Sequence, residues 1–191
     1  MTDWTSLIDS LSLVTGIAYI LLEIGQKNAM WWIGIATGLC CAASFGWQHA
    51  WASAGLNLYY VGMSVWGLYQ WRSDKAAAGA GIHLRRLTLP VLALSVALLL
   101  AGLPLLYWLL SSTGDPAPWL DGAVFILSII GTWWLAKAYP QQWLLWILAD
   151  ALSTWLAIAL GRPLLAVLYG AYTLSAVYGW WHWKTKGDYL K

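Results

Sequence analysis

Long apolar runs alternate with short polar breaks along this chain, and the spacing of the breaks predicts its elements. Seven runs approach the roughly 20 apolar residues that a helix needs to cross a bilayer. They extend from about Ser6 to Gly25, Trp31 to Phe45, Trp51 to Trp71, Leu87 to Leu110, Trp119 to Ala136, Trp143 to Leu160 and Leu164 to Trp183. The breaks QKNAM, GWQHAW, SSTGDPAPW, YPQQ and GRP carry turn chemistry. Arg72–Arg86, with AAAGAG inside it, reads as a flexible hydrophilic loop, and KTKGDYLK as a tail. The pattern predicts an all-α integral membrane protein with one transmembrane domain over residues 1–191.

A repeat appears when the ends of the third and seventh runs are superposed. VWGLYQW stops at Trp71 and VYGWWHW at Trp183, an offset of 112 positions. The same offset pairs Tyr60 with Tyr172, Trp31 with Trp143 and Asp9 with Asp121. Residues 6–71 and 119–183 then form two parallel three-helix repeats, with 87–110 as an inverting linker helix: a 3+1+3 layout. Transporters built from parallel repeats hold their substrate between the halves, near the membrane midplane.

Composition agrees: 61% of the 191 residues are hydrophobic and 9% charged, against about 25% charged in soluble domains. The net charge of +2 says little, but the placement of the charges sets an orientation. With the N-terminus outside, Lys27, Arg72, Lys75, Arg85, Arg86, Lys137, Lys184, Lys186 and Lys191 fall inside, and Arg162 alone outside. Asp3, Asp9, Asp115 and Asp121 fall at the outer side. Cys40 and Cys41 are adjacent within an apolar run and spell neither a disulfide framework nor a metal site. The start, MTDWTSLID, has no basic n-region, so the first run is not expected to be a cleavable signal.

Candidate chemistry centres on Trp143–Asp150, read WLLWILAD. Trp143, Trp146 and Asp150 stand at i, i+3 and i+7, on one helix face. A carboxylate at membrane depth costs roughly 2.5–3.5 kcal/mol on insertion scales and needs a partner, a proton or a cationic ligand. Indoles beside it can stack on a flat cation. The face therefore suits a small, flat, cationic molecule; the alternative is interfacial tryptophans and a helix-packing Asp. Under the repeat offset Asp150 pairs with Gly38, Trp146 with Gly34, Asn57 with Tyr169 and Glu23 with Leu135. Broken symmetry at polar positions suggests an asymmetric ligand. Ser12, Gly16, Tyr19 and Glu23 share one stripe, and Asn57, Tyr60, Ser64 and Gly67 another. Their small residues also suit helix packing. Glu23 either faces the substrate or reaches toward Lys27 at i+4. The expected contacts are Trp143, Trp146, Asp150 and Asn57, then Tyr60, Tyr172 and Glu23.

At these residues the chain resembles the PnuC family of bacterial vitamin transporters. Trp143, Trp146 and Asp150 meet the pattern W-x-x-W-x-x-x-[N/D], and NLYYVGMSVWGLYQW and GWWHW resemble the family's third and last spans. The resemblance covers nearly the whole chain. It implies a SWEET-like fold, usually homotrimeric, in the bacterial inner membrane. It implies facilitated diffusion of nicotinamide riboside, thiamine or riboflavin, trapped by phosphorylation in the cytosol. Nicotinamide riboside members favour Asn where this chain has Asp150. The acid, Glu23 and the Asn-Leu-Tyr-Tyr run are more similar to the thiamine branch.

Other classes fit less well. A retinal protein needs a lysine within Leu164–Trp183, which has none. Haem needs paired histidines at depth, whereas His49, His83 and His182 lie near run ends or in a loop and read as solvated or interfacial. The metalloprotease, nucleophile-elbow and paired-acid motifs of membrane enzymes are absent. No cofactor, metal or nucleic acid is expected. Proton coupling through Glu23 and Asp150 stays open, as does a scaffold or sensor without transport.

Overall fold

A computed structural model of the protein describes residues 16–47, 51–114 and 116–190. Most of the first apolar run, with Asp3, Asp9 and Ser12, lies outside them, as do His49, Asp115 and Lys191. Seven helices are present among the described residues: α1 (16–24), α2 (Ala29–Trp47), α3 (Trp51–Ala78), α4 (Leu89–Ser111), α5 (Pro118–Ala136), α6 (Gln142–Ala159) and α7 (Pro163–Lys186). Four of them, α2, α4, α5 and α6, with 19, 23, 19 and 18 residues, are long and apolar enough to cross a membrane. Nineteen residues rise about 28 Å, close to the ~30 Å hydrocarbon core.

Two segments differ from the sequence reading. The expected loop Arg72–Arg86 is helical as far as Ala78, because its Arg, Lys and Ala residues are good helix formers. The helix stops at Gly79, whose φ of +87° suits a glycine C-terminal to a helix. The tail is likewise helical to Lys186, and the chain then enters a three-residue strand, β2 (Gly187–Tyr189). The residues after Gly79 lead into another, β1 (Ile82–Leu84). Hydropathy locates the edge of the bilayer, not the end of the helix.

The described residues divide into two compact units, up to His83 and from Leu84. In the first, α2 meets α3 where Trp31 fits against a glycine. A methyl group on Gly67 would come within 2.4 Å of the Trp31 ring. The ring also meets Trp71 edge-on, at 4.9 Å and 71°. In the second unit α6 meets α7 in the same way. A methyl on Gly179 would stand 2.6 Å from the Trp143 ring, and Trp143 meets Trp183 edge-on at 5.5 Å and 88°. Each of these residues lies 112 positions from its counterpart.

The turns entering α2 and α6 match as closely. Gln26 and Ala138, again 112 apart, both hold a left-handed backbone, with φ of 47° and 56°. Such a φ costs a residue other than glycine about 1–2 kcal/mol. Around Gln26 the bonds run from the N–H of Gln26 to Glu23 O (2.9 Å), Lys27 to Leu22 O (2.8 Å), Met30 to Lys27 O (3.1 Å) and Trp31 to Asn28 O (3.2 Å). Around Ala138 they run from Ala138 to Leu135 O (2.9 Å), Tyr139 to Trp134 O (3.0 Å), Gln142 to Tyr139 O (3.1 Å) and Trp143 to Pro140 O (3.2 Å).

Contacts beyond the backbone path add to each turn. The Gln26 carbonyl accepts from Lys75 Nζ, which also reaches Asn28 Oδ1 at 3.5 Å. Burial, and then the Lys27 charge, hold the Lys75 ammonium below its ordinary pKa of 10.5. The Gln26 side chain pairs with the backbone of His83: Nε2 donates to the carbonyl at 2.8 Å, and Oε1 accepts from the N–H at 2.7 Å. His83 is therefore buried, with Nε2 2.7 Å from Gly79 O, and is not the solvated histidine its loop position suggested. In the second unit the Ala138 carbonyl accepts from the N–H of Arg85 at 3.1 Å.

The second unit also contains α4, packed on α5. Ile126, Ile130, Trp134 and Tyr139 form its core, with Leu99 and Leu103 against them. The Trp134 indole N–H donates to Ser95 Oγ at 3.0 Å, and that hydroxyl donates to Val91 O at 2.8 Å. Apolar surroundings demand such internal partners. Beyond the apolar stretches the Arg72 guanidinium lies 5.6 Å over Trp32, and the Lys184 ammonium 4.7 Å over Trp180.

Candidate functional site

The second unit carries the acid at depth. α6 is apolar on its outer face and presents Trp143, Trp146 and Asp150 on successive turns. These three residues divide between two neighbours. Trp143 is 2% exposed and wedged between Gly179 and Trp183 of α7. Trp146 lies over Gly131 of α5, where a methyl would stand 3.3 Å from the indole. A larger residue at 131 would displace the ring. The Trp146 N–H is buried and has no hydrogen-bond partner among the described residues. Such an orphan donor costs about 1–3 kcal/mol unless something accepts from it.

Asp150 follows Trp146 by four positions, so the two side chains are neighbours on the helix surface. Asp150 is half-buried, and its backbone carbonyl accepts from the Thr154 hydroxyl at 2.7 Å. Its carboxylate takes no hydrogen bond from the described residues. Tyr172 of α7 is within its electrostatic reach, and the Tyr172 ring meets Tyr169 edge-on at 6.3 Å. This unit thus holds a buried donor and an acid one turn apart, with a phenol in electrostatic reach of the acid. A flat cation with an acceptor group would satisfy all three.

In the first unit the equivalent positions are closed by packing. A methyl on Gly34 would sit 2.7 Å from Ser64 Oγ, and one on Gly38 2.7 Å from Val61 and 3.3 Å from the Asn57 carbonyl. Asn57 and Tyr60 are half-buried on α3, and Tyr60 lies 5.7 Å from Tyr59. Glu23, at the end of α1, is only 4% exposed, so it does not reach out to water. Tyr19 lies over Gly34, with its ring 3.6 Å from where a methyl there would stand. The sequence reading placed Tyr19 on the Glu23 stripe without giving it a role. The repeat offset held the signal: 19 pairs with 131 and 34 with 146. Among the described residues no group of three His, Cys, Asp or Glu side chains is arranged to hold a metal ion.

Residues 6–185 match the family described as nicotinamide mononucleotide transporter. The riboflavin/roseoflavin transporter RibM of Streptomyces davaonensis is 27% identical, over 93% of this chain and 84% of that protein. The nicotinamide riboside transporter PnuC of Haemophilus influenzae is 24% identical, over 95% and 79%. A crystal structure of the vitamin B3 transporter PnuC superposes with a TM-score of 0.70 at 26% identity, covering 96% of this chain and 83% of that one.

Proposed function

Because the chain belongs to the nicotinamide mononucleotide transporter family, the family of the PnuC proteins, we propose that it is a vitamin transporter whose cargo is a flat aromatic cation. One observation carries this reading. The Asp150 carboxylate is half-buried within an apolar helix, one turn from a Trp146 N–H that has no partner among the described residues, and within electrostatic reach of Tyr172. Asp150 supplies the counter-charge and Trp146 a stacking face with a free donor. Tyr172 closes this set. Asn57, Tyr60 and Glu23 of the first unit are proposed as further contacts. Trp143, held by Gly179, fixes α6 against α7.

Thiamine is the first candidate, because the acid at 150 favours a permanent cation. Nicotinamide riboside is the second; it is also a flat cation, and relatives and the solved neighbour bear its name or that of vitamin B3. Riboflavin, named for another relative, is neutral and should gain least from Asp150. Calorimetric titration of the purified protein with all three tests the reading. Saturable binding of a cationic vitamin is expected; binding of none would leave a scaffold or sensor.

The matching turns and tryptophan clefts support two parallel three-helix repeats joined by α4. The basic-residue count supports an outer N-terminus and inner C-terminus in an inner membrane. Cysteine labelling of residues 72–86 from outside intact cells would overturn that orientation. We propose facilitated diffusion by a homotrimer. Accumulation in proteoliposomes that an uncoupler abolishes would contradict the former, and a monomeric mass in detergent the latter.

A further inference from the structure

Two glycines of α5 meet their neighbours at the same distance but against different partners. A methyl group on Gly122 would stand 3.3 Å from Leu106 Cβ of α4, and one on Gly131 would stand 3.3 Å from the Trp146 ring of α6. All four residues belong to the second unit. At 122 the added methyl would press one helix away from another. At 131 it would meet a side chain of the candidate site.

The distances at 131 also fix how the ring lies. Its nearest atom is Cε2, with Nε1 and Cζ2 each at 3.5 Å. Cε2 is bonded to both, so a point closer to Cε2 than to either lies above a ring face and not beyond the ring edge. The indole therefore lies flat on the glycine. Carbon atoms pack best at about 3.5–4.0 Å, so a methyl at 131 would make the ring lift or tilt by a few tenths of an ångström.

The flat seat accounts for the orphan donor as well. Trp134, in the same unit, donates its indole N–H to Ser95 Oγ at 3.0 Å across a helix contact. The seat of Trp146 is flanked in sequence by two hydroxyls, Ser128 and Thr132. Each donates to its own helix, to Val124 O and Ser128 O at 2.8 Å, and neither accepts from Trp146. The N–H of a ring lying flat on α5 runs along that helix and not into it. Neither the donor nor the second ring face is turned into α5, and Asp150 stands one turn along α6.

We propose that Gly131 is a positioning residue for the cargo: by letting the indole lie flat it sets the height of the Trp146 ring, and so the fit of a flat molecule against that ring beside Asp150. This rests on the reading of the protein as a carrier of a flat aromatic cation. A radial gap of about 0.5–1 Å forfeits a quarter to a half of a van der Waals contact. A stacked ligand therefore feels a small lift of the ring.

The test is calorimetric titration of purified wild-type, Gly131→Ala, Gly122→Ala, Trp146→Leu and Gly131→Ala/Trp146→Leu proteins with thiamine, nicotinamide riboside and riboflavin. Gly131→Ala should weaken binding of the cationic vitamins by about threefold, and Trp146→Leu by about tenfold. Gly122→Ala adds the same methyl to the same helix at the same distance and should leave affinity unchanged. If Gly131 acts through the ring, adding Gly131→Ala to Trp146→Leu should cost nothing more. Equal losses in Gly131→Ala and Gly122→Ala, or a loss at 131 that persists undiminished without the indole, would assign the glycine to packing and overturn the proposal. A Gly131→Ala protein that fails to fold, with and without Trp146→Leu, would do the same. Wild-type affinity in Gly131→Ala, with Trp146→Leu impaired, would overturn the role of Gly131 and leave the carrier reading standing. Binding of none of the three vitamins by the wild-type protein would overturn both.

Discussion

The turn at 25–28 and the turn at 137–141 share one backbone path, yet different chemistry holds them. Both take a left-handed residue, Gln26 or Ala138, and both close the same four hydrogen bonds. At one, a glutamine side chain pairs with His83 and a lysine donates to the turn; at the other, the turn carbonyl accepts from the N–H of Arg85. The tryptophan clefts go the other way, since there residues as well as backbone are kept: Trp31 in Gly67, Trp143 in Gly179. Where two helices approach closely, few side chains fit. Where a turn meets the chain beyond it, many solutions serve. The halves are alike where packing allows one answer and differ where polar chemistry is free to change.

The clefts should show the largest effect. Gly67→Ala and Gly179→Ala each drive a methyl into a rigid indole, and each should cost about 3 kcal/mol. Gly62→Ala and Gly170→Ala meet open space and should gain up to about 1 kcal/mol from helix propensity. Thermal unfolding in one detergent would compare all four. A large loss at only one of the two clefts would break the equivalence of the units.

The turns come next and should respond unequally. Gln26→Gly relieves a left-handed backbone but orphans the buried N–H and carbonyl of His83, for a net loss of about 2 kcal/mol. Ala138→Gly should stay within about 0.5 kcal/mol, because relief of strain is offset by backbone entropy. Equal effects would mean that the Gln26 pairing contributes nothing to stability.

The smallest expected effect concerns Lys75. Its folded pKa is lowered, so between that value and 10.5 the unfolded chain binds more protons than the folded one. Stability should therefore rise with pH across that window, and less so in Lys75→Gln. Identical slopes in the two proteins would show that burial and the Lys27 charge do not disfavour the Lys75 ammonium.

Hydropathy made α2, α4, α5 and α6 legible because each is about as long as a bilayer is thick. It stopped at Trp71 and Trp183 because the chain beyond is polar, although Arg72–Ala78 and Lys184–Lys186 continue as helix. The 112-residue offset was legible from tryptophans alone, since a ring wedged into glycine leaves both partners little freedom. Gln26 and Ala138 gave no local signal, because neither is a residue that favours a left-handed backbone. His83 was misread for a related reason: its partner stands 57 residues away. For the proposed site, Asp150 and Trp146 were singled out from one helix face. The seat of Trp143 in α7 could not, because i and i+3 fix a face only to within a helix's width. The contact of Tyr19 on Gly34 became visible only on comparing positions 19, 34, 131 and 146 together.

The charge at 150 matters most to a cationic cargo. Asp150→Asn keeps the shape and removes the charge, so it replaces a charge-assisted contact worth roughly 1.5–3 kcal/mol by one of about 0.5–1.5. Calorimetric titration of the two proteins should show thiamine and nicotinamide riboside bound about tenfold more weakly by the variant, with riboflavin unchanged. Equal affinity for every vitamin in both proteins, with the variant folded and inserted normally, would make Asp150 a structural residue and contradict the account.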